Sequence, residues 1–305
     1  MTHATFNPDR HGVPLGILLA ALAAIGFSGK AILVKLAYAD AVDPVTLLAL
    51  RMLFSLPFFL AAAVWKHNGA DAPPLRHRDY GAVILLGLIG YYLSSLLDFM
   101  GLQYISAGLE RLILFLYPTL VVLLSAAFLR RPVGLREAVA LLLSYGGIAL
   151  VFLHDLARQG GEGLVLGAAL VFASTLTYAA YLVGIGAVVA RLGAMRLTAY
   201  AMLVASAAVL LQFALTHPWS ALALPGRVYL LALAMALFST VLPVFMLSVS
   251  IRMIGAGHTA LIGSIGPVAT IFLAYLILGE PVSLRQILGA ALVLAGVLVI
   301  SFWKR

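Results

Sequence analysis

From Pro14 to Trp303 the chain is a succession of apolar runs, each about as long as a bilayer is thick, separated by short polar punctuation. A helix that crosses the hydrocarbon core needs roughly 20 predominantly apolar residues. Inside lipid, every backbone N–H and C=O must also find its partner within the protein. Helices meet that condition within one segment. A closed β-barrel is the other solution, but its signature is short segments of alternating polarity, and these runs are continuous. The chain therefore reads as an all-α integral membrane protein. Ten spans are predicted, at about 14–38, 45–66, 80–103, 106–130, 134–153, 163–186, 197–216, 227–250, 256–278 and 282–303.

Composition agrees, with 64% hydrophobic and only 10% charged residues over 305 positions. The formal charge of +8 would suggest nucleic acid for a soluble protein. Here Lys and Arg sit mainly at span ends, which is a topology signal, and no nucleic-acid partner is expected. There are no cysteines, so disulfides, thiolate metal ligands and cysteine nucleophiles are excluded. Ala37-Tyr38-Ala39 at the end of the first span resembles a signal-peptidase site. That reading is rejected, because the first span has a counterpart in the middle of the chain.

Basic residues alternate between loop sets. One set holds Arg10, Lys66, Arg76, Arg78, Arg130, Arg131, Arg136, Arg191, Arg196, Arg252, Lys304 and Arg305; the other holds little beyond Lys35, Arg158, Arg227 and Arg285. The positive-inside rule then puts both termini in the cytoplasm. The expected location is the inner (plasma) membrane of a bacterial cell, with residues 1–13 as a polar cytoplasmic tail.

The two halves of the chain match each other. A shift of 149 positions brings Ile105, Ala107, Gly108, Pro118, Pro132, Arg136 and Gly147 onto Ile254, Ala256, Gly257, Pro267, Pro281, Arg285 and Gly296 without a gap. Leu and Ala coincidences are common in membrane helices, but Gly, Pro and Arg in one register are not. The chain is read as a duplicated five-helix unit, residues 14–154 and 163–303. With an odd number of spans per unit, the second copy must enter the membrane from the opposite side. Inverted repeats of this kind are a secondary-transporter architecture, with the substrate site near the midplane between halves.

The motifs ISAGLERLILFLYPTL with RRPVGLRE, and IGAGHTALIGSIGPVA with LGEPVSLRQILGAALVLAGVLV, resemble the drug/metabolite transporter superfamily, specifically its ten-helix EamA-type members. The resemblance covers nearly the whole chain. It implies two inverted five-helix repeats around a central cavity, with exporters of amino acids and other metabolites among the members. Three departures stand out. Lys30, Asp98 and Glu110 occupy positions that are usually apolar or small in the family. Phe27-Ser28 replaces its Trp-Gly pair, and Arg130-Arg131 precedes Pro132 where Gly279-Glu280 precedes Pro281. Lys35 and Arg51 match positions where a basic residue is common, which favours a structural or topological role for them.

Ionisable residues at membrane depth are functional candidates, because lipid disfavours them unless they find a partner or water. Lys30, Arg51, Asp98 and Glu110 each fall roughly 6–12 Å inside the outer boundary at about 1.5 Å per helical residue, so they form one layer. Tyr91, Ser94 or Ser95, and Asp98 make a polar stripe on the third helix; Ser174, Tyr178 and Tyr181 make one on the sixth; Glu110, Leu114 and Tyr117 share a face of the fourth. The repeat mates of Lys30, Arg51, Asp98, Glu110 and Arg111 are Tyr181, Met202, Leu247, Thr259 and Ala260, none of them charged. Symmetry accounts for the scaffold, and the charges break it.

Lys30, Tyr91, Asp98, Glu110, Tyr117, Tyr178 and Tyr181 are therefore the candidate substrate-binding or coupling residues, with Arg51, Arg111 and His258 behind them. Structural alternatives stay open for several. Glu110 could serve the dipole of a helix capped by Ser106, Arg111 could snorkel to headgroups, and Lys30 with Asp98 could be a permanent neutralising pair. His258 could be interfacial rather than a proton relay. Pro118, Pro243 and Pro267 fall inside spans and should kink them. Gly255, Gly257, Gly263 and Gly266 read as packing positions first and hinges second.

The leading expectation is a secondary transporter of a small polar metabolite such as an amino acid, more an exporter than an importer, working by alternating access. Lys30 or Arg51 would attract a carboxylate and Asp98 or Glu110 an ammonium group, with a proton exchanged at one carboxylate as an option. A non-transporting membrane subunit or lipid-interacting protein is the alternative. An intramembrane enzyme lacks support: there is no HExxH, no GxSxG and no P-loop. No cofactor or metal is expected. Membrane lipids are expected partners, and a homodimer is left open.

Overall fold

The computed structural model describes residues 12–67, 76–130, 133–159 and 161–302. The N-terminal tail, Arg131, Lys304 and Arg305, which entered the charge count for orientation, lie outside them. Among the described residues the chain is helical throughout, with no strands. The helical spans are α1 (Val13–Tyr38), α2 (Pro44–Trp65), α3 (His77–Leu102), α4 (Ala107–Phe128), α5 (Leu135–Ala157), α6 (Glu162–Gly184), α7 (Ala194–Thr216), α8 (Gly226–Gly255), α9 (Gly257–Leu278) and α10 (Leu284–Ile300). The first nine are long and apolar enough to cross a membrane. The tenth is apolar but shorter, so its crossing rests on sequence expectation. A short helix, Gly186–Leu192, occupies what sequence marked as the connection between the sixth and seventh spans.

Local chemistry sets the starts. Asp43 accepts the N–H of Thr46 at 2.9 Å, just before Pro44 opens α2. Ser106 accepts the N–H of Leu109 at 3.1 Å and caps α4. Ser283 accepts the N–H of Gln286 at 3.1 Å ahead of α10.

The duplication recurs in the backbone at the same shift of 149. A π-helical turn at Leu88–Leu93 in α3 returns at Leu237–Val241 in α8. The break in α4 at Phe115–Leu116 returns in α9 at Ser264–Ile265, each just before a proline that cannot donate to the carbonyl four residues back. Arg130 and Gly279 are both left-handed, at φ 53° and 66°. Pro243, without a mate, follows the α8 π-turn, and Pro57 sits inside an uninterrupted α2.

Helix packing follows the same symmetry. α1 lies against α8 and α9, and α6 correspondingly against α3 and α4, while α2 pairs with its mate α7 and α5 with its mate α10. The α5–α10 crossing is close because small residues face each other. A Cβ at Gly147 would come within 2.6 Å of the Gly289 carbonyl. Two large apolar cores result: one around Ile32, Leu47, Met52, Phe59 and Phe99, the other around Leu109, Leu112, Val151 and Val293. The outer faces stay apolar, with Phe128, Leu142, Leu215 and Phe272 exposed, as lipid-facing surfaces are. Trp65 and Trp219 are exposed at helix ends, consistent with interfacial anchoring.

Candidate functional site

Lys30 sits eight residues from the end of α1, where its stem leaves the helix among buried neighbours. Its ammonium donates to Asp98 Oδ2 on α3 and lies 2.9 Å from Glu110 Oε1 on α4. The side chains of Lys30, Asp98 and Glu110 are 14%, 4% and 0% exposed. Three helices of the first half thus bring three charges into one closed cluster. Two carboxylates face one ammonium, and Asp98 Oδ1 and Glu110 Oε2 are buried without a hydrogen-bond donor. Buried groups in that condition are costly.

Three of the four residues that the sequence puts in one layer, Lys30, Asp98 and Glu110, engage each other. Glu110, in the first turn of α4, turns to Lys30, and the backbone donors at the start of α4 are met by Ser106 and by a residue from the other half. Glu280 accepts the N–H of Ala107 at 3.0 Å and that of Gly108 at 3.4 Å. Sequence reasoning left this residue out. Its signal was present, since Glu280 precedes Pro281 where the first half has Arg131, but nothing in a linear pattern aims that carboxylate at α4.

Arg51, on α2, lies beside the cluster. Its Nε donates to Thr240 Oγ1 at 3.0 Å, and its guanidinium stands 5.5 Å from the ring centroid of Phe99, the residue after Asp98. Thr240 in turn donates to the Met235 carbonyl, five residues back and just before the π-turn. Arg111 turns toward the protein. Its guanidinium is 5.6 Å from the Phe115 ring and packs against Gly266 at the broken start of the second α9 segment, and its Nε is buried without a partner. Ser28, part of the departure from the family's first-helix pair, donates to the Gly266 carbonyl at 2.9 Å.

The tyrosines form a continuous aromatic chain. Ring centroids are 5.2 Å apart for Tyr91 and Tyr181, 5.8 Å for Tyr181 and Tyr178, 5.8 Å for Tyr178 and Tyr117, and 6.2 Å for Tyr117 and Phe115. The chain runs from the α3 π-turn, across α6, to the α4 break and so to Arg111. The serine portion of the two polar stripes has a different use. Ser174 donates to the Ser94 carbonyl at 2.7 Å, which fastens α6 to α3. His258 is apart from the rest, with Nδ1 3.0 Å from the Ile254 carbonyl at the α8–α9 junction.

Two hollows border this region. One, about 370 Å³, is lined by Tyr38, Ala41, Val42, Asp43 and Gln103 at the loops after α1 and α3. Tyr38, in its wall, donates to the Phe99 carbonyl at 2.6 Å. The other, about 310 Å³, is an apolar groove between α1, α8 and α9 that includes Gly26, Gly29 and Phe238.

The EamA-like transporter family model matches the chain twice, over residues 14–153 and 165–302. An uncharacterized transporter of Bacillus subtilis (strain 168), YcbK, is 31% identical over 281 residues, covering 90% of this chain and 88% of that protein. A second from the same organism, YyaM, is 28% identical over 258 residues, covering 80% and 82%. An uncharacterized transporter of Archaeoglobus fulgidus is 25% identical over 228 residues, covering 74% and 79%. One crystal structure superposes with a TM-score of 0.65 over 96% of this chain and 99% of its own, at 20% identity, and so shares the fold. Two family repeats, the matching backbone breaks and these relatives lead to one conclusion: the chain belongs to the EamA-like transporter family.

Proposed function

We propose that this protein is a secondary-active exporter of a small polar metabolite of the amino-acid class, working by alternating access across the inner membrane of a bacterial cell. On this reading ten helices cross the membrane as two inverted five-helix repeats, with both termini cytoplasmic. The substrate passes between the halves beside Lys30, Asp98 and Glu110, with Arg51 and Arg111 on the anionic side of the ligand and the tyrosine chain along its path.

The observation that carries the reading is the buried ion cluster of Lys30, Asp98 and Glu110, none of whose repeat mates is charged. The cluster is closed in this structure, so transport requires it to open. Uptake of a proton by one of its carboxylates as substrate leaves, and release of that proton on substrate binding, would couple the two fluxes.

Proteoliposomes carrying the purified chain, loaded with an amino-acid panel and diluted under an imposed proton gradient, test the proposal. Wild type is expected to release at least one panel member, and Asp98→Asn to slow that release by about tenfold or more, the rate equivalent of roughly 1.4 kcal/mol. Full activity in Asp98→Asn would sink the role assigned to the cluster.

A further inference from the structure

Lys30 makes fewer contacts than the two carboxylates beside it can take. Its ammonium has three donors and is engaged by Asp98 Oδ2 and Glu110 Oε1, while Asp98 Oδ1 and Glu110 Oε2 remain buried and unmet. A permanent structural pair would be neutral and satisfied, because that is the condition under which buried charge is tolerated. Here two carboxylates from different helices face a single ammonium, and two of their oxygens have no donor from the protein's cations. The cluster has the acceptor capacity of a binding site for an ammonium group, and the group found there belongs to the protein.

We infer that Lys30 is a tethered occupant of a cation site formed by Asp98 and Glu110, holding the place that the ammonium group of an amine-bearing substrate takes during transport. The inference rests on the transport reading above and names its substrate class. The tether is a flexible four-carbon stem carrying a compact charge, so it can leave the carboxylates without moving α1. The two carboxylates come from different helices, α3 and α4, and no third His, Cys, Asp or Glu joins them among the described residues to make a metal site. Arg51 stands over Phe99, the residue after Asp98, and Arg111 follows Glu110 on α4, its Nε buried without a hydrogen-bond partner. Carboxylates and guanidinium groups on neighbouring positions suit a ligand with an amine at one end and a carboxylate at the other.

The arrangement has a transport consequence. Two bare carboxylates at membrane depth would hinder reorientation of the empty carrier. With Lys30 in the site, the empty carrier returns with its charge largely cancelled. Substrate release and Lys30 return are then one exchange, ammonium for ammonium.

The test uses the full-length chain purified in detergent, with methylammonium chloride as the probe. Lys30→Ala is expected to melt below wild type, and methylammonium chloride to raise its Tm by several degrees over the same concentration of sodium chloride. Wild type, whose site is filled, and Lys30→Ala/Asp98→Asn/Glu110→Gln, whose site is gone, are expected not to respond. If Lys30→Ala is not recovered folded, Lys30→Ala/Glu110→Gln, which removes one group of each sign and keeps Asp98, takes its place. An absent rise, an equal rise with sodium, or an equal rise in wild type or the triple variant overturns the inference. In proteoliposomes, net efflux of the amine-bearing panel member is expected to fall about tenfold or more in the Lys30 variant and to recover in part with methylammonium. A wild-type protein that moves no panel member would refute the transport reading, while the melting measurement decides the cation site independently.

Discussion

The carboxylate of Glu280 accepts the backbone N–H of Ala107 at 3.0 Å, joining residues 173 positions apart. A loop of the second half thereby supplies the negative charge at the start of α4, the helix that carries Glu110 and Arg111. Gln286 packs on the same turn, against Gly108. The repeat mate of Glu280 is Arg131, whose charge has the wrong sign for a helix N-terminus. Among the described residues, the clamp lies at the end that holds the hollow beside Gln103.

Glu280→Ala should release that clamp. Losing a helix N-cap costs about 1 kcal/mol, so a lower Tm is expected, with a smaller drop for Glu280→Gln, which keeps one acceptor. The chain has no native cysteine, so Gln103→Cys gives a clean reporter of this end. Maleimide labelling of Gln103→Cys should rise when Glu280→Ala is added, and unchanged labelling would show that the cap does not hold α4 closed.

Arg51 and Thr240 form a second link between halves, at 3.0 Å. Thr240→Val removes the acceptor and leaves a buried donor unmet, at a cost of about 1–3 kcal/mol. Arg51→Lys keeps the charge but lacks the planar group that reaches Thr240 and stacks on Phe99. Each single variant should melt lower than wild type, and the double variant should melt close to the worse single one, because both remove the same contact. Additive losses would mean that the two residues act separately.

The α5–α10 crossing should tolerate no added side chain. Gly147→Val and Gly289→Val each place carbon against the facing helix, where a Cβ at either position comes within 2.6 Å of a backbone oxygen. Folded yield by size-exclusion chromatography should fall sharply for both. Gly146→Ala, whose Cβ meets nothing within 4 Å, is the matched control and should behave as wild type.

Much of the fold is legible in the chain because lipid enforces it. Pro118 and Pro267 mark breaks wherever they fall in a helix, and their common register reports the duplication before any coordinates exist. Lys30, Asp98 and Glu110 are visible as candidates for the same reason: a charge within a span is disfavoured wherever it points. The use of each group is less visible. Ser94 and Ser174 read as parts of cavity stripes and instead fasten two helices together. His258 reads as an interfacial residue or a relay candidate, and its Nδ1 meets the Ile254 carbonyl. Glu280, the residue sequence reasoning passed over, makes the link between the halves at α4.

By itself, the sequence determined that this is a helical membrane protein built twice from one unit, and which charged residues that unit does not require. Those properties follow from spacing along one chain: apolar length, proline position and register. Only the tertiary structure decided that Lys30 meets both Asp98 and Glu110, that Glu280 reaches α4, and that the tyrosines form one chain. Such contacts depend on the rotation of each helix about its axis and on how closely neighbouring helices approach. In a membrane both are set by small-residue packing and hydrogen bonding between helices rather than by a hydrophobic stripe, and a helix that is apolar all round leaves no such stripe to read.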